Sequence, residues 1–95
     1  MSENNDRTVS PEQQDQILFM MLVQQHQQIA QMGLGELENP ATGKKEKDLK
    51  AVKYAIDTLT MLEKFTSGNL SKEMSAYLTE TLKSLRLKYV DANKA

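Results

Sequence analysis

Apolar side chains recur at steps of three and four residues along three separate stretches of this 95-residue chain. Such spacing places them on one side of an α-helix, whereas a half-buried strand would alternate every second residue. Glycine and proline fall between the stretches, where helices are expected to end. We therefore predict an all-α fold, a small three-helix bundle. Its length corresponds to a single domain.

The first helix is predicted to begin at Ser10 and Pro11. Ser10 is able to cap free backbone amides, Pro11 suits the first helical position, and Gln13 completes a capping box. The helix should end at Gly33 or Gly35, because glycine accommodates a left-handed backbone.

The second helix is predicted over Glu46–Phe65, and the third from its cap at Ser71 to about Asp91. A short turn, with Gly68 left-handed and followed by Asn69, separates them, which predicts an antiparallel hairpin. The third helix has one narrow apolar stripe, formed by Met74, Leu78, Leu82, Leu85 and Tyr89.

Outside this domain, taken as residues 10–91, we expect a disordered polar tail at residues 1–9 and a frayed C-terminus at residues 92–95. A connector joins the first two helices, turning at Asn39-Pro40 and ending at Gly43. It is long for a helix–helix connection, so Leu34 and Leu37 are predicted to pack back onto the bundle.

Charge and cysteine content exclude several classes of function. Twelve basic and thirteen acidic residues leave a net charge of −1, so we expect neither nucleic acid nor a membrane surface as a partner. The absence of cysteine excludes disulfides and thiolate chemistry. The polar N-terminus lacks the features of a secretory signal, which favours a cytoplasmic location.

Helix one carries two apolar stripes, and between Gln16 and Gly35 it has no charged residue. The first stripe is Leu18, Leu22, Gln25 and Ile29, widened by Ile17, Met21 and Met32. The second is Phe19, Val23, His26 and Ala30. Helix two also has a second stripe, made of Tyr54, Thr58, Met61 and Phe65.

A small bundle covers one stripe per helix, and monomers rarely expose large contiguous apolar patches. We therefore predict that the second stripe of helix one is a protein interface, through which the chain associates with itself or with a partner helix. Its anchors would be Phe19, Met20, Val23 and Ala30, with His26 at the centre. The alternative is that helix one lies between the other two helices and uses both stripes inside one chain.

From Asn39 onward the sequence resembles a bacterial family known only as domain-of-unknown-function family 1844, and the resemblance covers about residues 15–91. Its most specific parts are the Gly68-Asn69-Leu70 turn and the terminal Leu85-Arg86-x-x-Tyr89-Val90. Lys45 departs from the pattern, where an acidic residue is expected. The resemblance implies a compact helical protein and supplies no substrate, cofactor or catalytic residue.

No constellation of residues indicates catalysis, a metal or a cofactor. His26 is the only histidine, and its neighbours one helical turn away offer neither a proton-transfer partner nor a second ligand. Asp57 and Arg86 lie on facing helices, and we predict an ion pair between them that fixes the helix register. We therefore predict a non-enzymatic interaction module. The alternative is a small-ligand binder or enzyme that uses the Asn39–Gly43 connector together with Tyr89.

Overall fold

A computed structural model describes residues 10–94, which form three helices joined by two connectors. The helices are α1 (Pro11–Gly33), α2 (Leu49–Phe65) and α3 (Lys72–Lys94). The predicted all-α three-helix fold is confirmed. The predicted tail at residues 1–9 lies outside the described residues, as does Ala95. Helix α3 continues three residues past its predicted end, so residues 92–94 are helical.

Side-chain caps define where the helices begin. At α1, the Ser10 hydroxyl accepts a hydrogen bond from the Gln13 backbone N–H at 3.1 Å, and the Gln13 side chain accepts one from the Ser10 N–H at 2.9 Å. This is the predicted capping box. The hydroxyl of Ser71 accepts from the Met74 backbone N–H at 3.1 Å, which confirms the predicted cap of α3.

Helix α2 begins three residues later than predicted because the preceding segment pairs with the end of α1. Lys47 forms an isolated antiparallel bridge with Leu34, and the Asp48 N–H donates to the Gly33 carbonyl at 2.8 Å. These contacts hold the backbone extended up to Asp48, whose carboxylate then caps the helix by accepting from the Ala51 N–H.

The connector between α1 and α2 contains a tight turn closed by a hydrogen bond from the Asn39 N–H to the Lys44 carbonyl at 2.8 Å. Gly43 within it has a φ of 71°, which L side chains rarely adopt. Leu34 packs against the core as predicted. The prediction for Leu37 is wrong, since 40% of its surface is exposed.

Helix α2 lies in the middle of the bundle, packing against both other helices, whereas α1 and α3 touch each other least. Hydrogen bonds from Thr79 to Glu63 and from Arg86 to Thr60 show that α2 and α3 run antiparallel, as predicted. The core is apolar and draws on all three helices: Val23, Ala30, Val52, Ala55, Ile56, Leu59, Leu78, Leu82 and Leu85.

Helices α1 and α2 approach each other closely at Gly33. A Cβ atom there would stand 2.6 Å from the Asp48 carbonyl oxygen and 2.7 Å from Cγ2 of Val52. Both distances are far inside van der Waals contact, so only glycine fits this crossing.

Replacing Gly33 by Ala is expected to lower the free energy of unfolding by about 1–3 kcal/mol, because the added methyl pushes the two helices apart. Chemical denaturation monitored by circular dichroism would measure this change. The control is Lys83→Ala at an exposed position of α3, which should shift stability by less than about 0.5 kcal/mol. Equal stabilities for the two variants would contradict the close crossing.

Candidate interaction surface

The predicted docking stripe of α1 is its buried face. Val23 and Ala30 are completely inaccessible, and His26 is buried as well. Phe19 is half-buried and packs against the same core. Of the predicted anchors only Met20 is exposed, at 39%, and it lines a small groove with Met74 of α3. The predicted interface is therefore wrong for the folded chain, because this stripe packs on the other two helices.

His26 belongs to the α1–α2 contact rather than to a docking surface. Its Nδ1 lies 3.0 Å from the Leu22 carbonyl oxygen one turn earlier, and its ring centroid is 5.9 Å from that of Tyr54. Among the residues that the structure describes, no three His, Asp or Glu side chains come together in a way that could hold a metal ion.

The first half of the other stripe of α1 faces outward instead, whereas Ile29 packs against the core and Met32 is half-buried. Leu18 is 56% exposed and Met21 58% exposed, and Ile17 and Leu22 are exposed beside them. The two stripes of α1 differ in the size of their side chains, and this difference indicates which stripe is buried. Ala30 and Gly33 on the buried stripe permit close helix packing, and the exposed stripe has only large side chains.

Helix α2 exposes the second stripe that its sequence predicts. Tyr54, Met61 and Phe65 are all exposed, Phe65 at 74%. Helical periodicity places them along one line of α2. This line lies next to α1, because the Tyr54 ring contacts His26 of that helix. Leu22 lies one turn before His26 along α1.

The exposed residues of the two stripes lie on neighbouring helices and are together called the α1–α2 face: Ile17, Leu18, Met21, Leu22, Tyr54, Met61 and Phe65. With roughly 200 Å² for a large side chain and about half of each one exposed, they present roughly 700 Å². The largest apolar patch of a typical monomer is about 300–600 Å². The α1 part of this surface contains no charged residue.

The residues predicted to have structural roles lie in turns and on exposed helix surfaces. Gly68 is left-handed with a φ of 84°, as predicted, and the Asn69 N–H donates to the Thr66 carbonyl in the same turn. The predicted pair of Asp57 and Arg86 is wrong, because each binds a different residue.

Asp57 pairs along its own helix with Lys53, at 2.7 Å between Nζ and Oδ2. This hydrogen bond raises the pKa of Lys53 above its usual value. Arg86 reaches α2 one turn further on, where it donates to the Thr60 hydroxyl at 2.8 Å. Arg86 therefore joins α3 to α2 through a hydrogen bond to an uncharged hydroxyl and not through an ion pair.

The connector borders a groove of about 440 Å³ between the end of α1 and the start of α2. Two of its polar side chains are engaged in local structure: the Asn39 side-chain oxygen accepts from the Ala41 N–H at 2.8 Å, and Asp48 caps α2. Tyr89, which the ligand-binding alternative also invoked, packs against the core. Tyr89 does not line the groove beside the connector.

Three helices around one core, with an uncharged apolar face on the outside, define a small all-α protein with a candidate protein-binding surface. Within residues 10–94, none of the helices combines the length and hydropathy needed to cross a bilayer. The chain belongs to the family described as Domain of unknown function (DUF1844), whose model matches residues 16–91. The match confirms the resemblance seen in the sequence. Neither the curated proteins nor the solved structures contain a significant match.

Proposed function

We propose that this protein is a non-enzymatic helical interaction module that binds a second copy or a helix of another protein through the α1–α2 face. The observation that carries the proposal is the outward stripe of α1, where Leu18, Met21 and their apolar neighbours meet solvent with no charge among them. Exposed apolar patches of this size mark interaction sites in soluble proteins.

The mechanism is burial of a helix surface against a partner helix, with contacts at steps of three and four residues. Leu18 and Leu22 are spaced four apart, and so are Ile17 and Met21, which produces two adjacent ridges. Methionine side chains are unbranched and polarizable, so Met21 and Met61 are able to adapt to the shape of a partner.

The energetic balance favours association. Complete burial of a Leu, Met or Phe side chain contributes about 1.5–3 kcal/mol, so seven side chains that are half exposed contribute roughly 5–10 kcal/mol. The partner surface contributes a similar amount, against an association cost of about 4–15 kcal/mol.

A photo-reactive amino acid at Met21 tests the proposal in the native host. We expect it to form a covalent adduct with a protein, because Met21 stands in the middle of the exposed stripe. The matched control is the same amino acid at Lys83, which is exposed on α3 away from the α1–α2 face. Gel electrophoresis of the irradiated cells would detect the adduct. The absence of an adduct from both the Met21 and the Lys83 variant would refute the proposed surface.

A further inference from the structure

Resting on the proposed function, we infer that the occupant of the α1–α2 face is a second copy of this chain, with the two α1 helices packed antiparallel across a twofold axis beside Met21. Three features of the face support this inference: the absence of charge on its α1 part, the chemistry of the flanking glutamines, and the area.

A twofold axis places the residues beside it near their own counterparts, so a charge close to the axis meets a like charge. The α1 surface avoids this penalty because no charged residue occurs between Gln16 and Gly35. A partner of different sequence is commonly selected by complementary charge, and this surface has none to offer.

The polar residues beside the apolar stripe are self-complementary. Gln14, Gln25 and Gln28 are exposed on the same side of α1 as Ile17 and Met21. A glutamine amide both donates and accepts hydrogen bonds, so it is able to pair with a glutamine of an identical chain. Lysine or glutamate at these positions would lack that property.

The helix dipoles favour the antiparallel orientation. The N-terminus of each α1 carries a partial positive charge and its C-terminus a partial negative charge. In an antiparallel pair each end lies beside the opposite end of its counterpart, whereas in a parallel pair like ends meet. The acidic residues Glu12 and Asp15 stay outside the pairing, because they line a groove with Phe19 on another side of the helix.

The area also fits a pair of identical chains. Roughly 700 Å² from each copy amounts to roughly 1,400 Å² in total, which lies within the range of about 1,200–2,000 Å² for specific and stable interfaces. The face is therefore large enough for a dimer without a contribution from any other surface.

Light scattering of the purified chain across a hundredfold dilution tests the pairing. We expect a mass of twice the 10.8 kDa of the chain at the higher concentrations. Met21→Glu places two like charges beside the axis and should raise the dissociation constant at least a hundredfold. Lys83→Glu, at an exposed position on α3, should leave the dissociation constant unchanged. Far-UV circular dichroism would establish that both variants remain helical.

Single cysteines test the orientation, since the natural chain has none. Met21→Cys should form a disulfide-linked dimer on oxidation, because the two Cα atoms near the axis fall within about 7 Å. Gln14→Cys lies two turns earlier on the same side and should not cross-link, because antiparallel packing separates its two copies by about 21 Å. Cross-linking at both positions would overturn the antiparallel arrangement.

A mass of 10.8 kDa at every concentration would overturn the inference as a whole. If Met21 then formed a photo-adduct with a different protein in the host, the proposed function would stand while self-pairing failed. With no adduct at Met21, both would fail.

Discussion

Replacing Leu59 by Ala is expected to lower the free energy of unfolding by about 2–5 kcal/mol, the largest effect in the chain. Leu59 is fully buried, and it lies on α2, the helix that packs against both others. Truncation removes apolar contacts and leaves a cavity that neighbouring helices are unable to fill completely. A domain of this size has a total stability of only about 5–15 kcal/mol, so the midpoint of urea denaturation should fall substantially.

Met61→Ala provides the control for Leu59→Ala on the same helix. Met61 lies two residues further along and faces outward, so its truncation should change the stability of the monomer by less than about 1 kcal/mol. Both variants should be measured at concentrations low enough to dissociate any assembly, because association adds stability by mass action. A larger loss of stability for Met61→Ala than for Leu59→Ala would mean that Met61 faces the core and Leu59 faces solvent.

Val23→Ser is the second substitution with a large expected effect, about 2–4 kcal/mol. The side chain of Val23 is completely buried between α1 and the other helices. Serine removes two methyl groups and introduces a hydroxyl into an apolar core, and both changes destabilise the folded state. Thermal unfolding followed by circular dichroism would show the loss as a lower melting temperature.

Met21→Ser, two residues earlier on the same helix, separates the core role of Val23 from a role in docking. Met21 is exposed, so the monomer should keep its melting temperature while losing its capacity to associate. The sequence alone favoured the opposite outcome, with Val23 at the interface and Leu18 in the core. A stable Val23→Ser variant together with an unstable Met21→Ser variant would restore that earlier assignment.

The boundaries of the helices were largely predictable because they depend on local chemistry. The Ser10-Pro11 start and the left-handed Gly68 follow from hydrogen bonding and backbone sterics within a few residues. The start of α2 was predicted wrongly because the segment before Asp48 pairs with residues near the end of α1. Such nonlocal pairing has no signature in the spacing of apolar residues.

The orientation of α1 could not be deduced from hydrophobicity, since both of its stripes are apolar. Packing distance decides between them, and it depends on the small residues Ala30 and Gly33. Gly33 admits α2 to a separation at which any side chain would clash. Gly33 extends the stripe of Val23, His26 and Ala30, and the pair of small residues Ala30 and Gly33 is the sequence signal of the buried face. The predicted ion pair between Asp57 and Arg86 does not form because Thr60, one helical turn beyond Asp57, lies opposite Arg86.

Between Pro11 and Leu22, every side chain of α1 except Phe19 is exposed, so this half of the helix receives little support from the rest of the chain. Isolated helices of about this length are marginal in water, because nucleation is unfavourable. The capping box contributes only about 0.5–2 kcal/mol towards the ordered state. We therefore expect ordering of this segment to be coupled to binding of the proposed partner, so that the free energy of ordering lowers the affinity. A substitution that only raises helix propensity here and lies off the α1–α2 face, such as Gln16→Ala, should therefore raise the affinity without altering a contact with the partner.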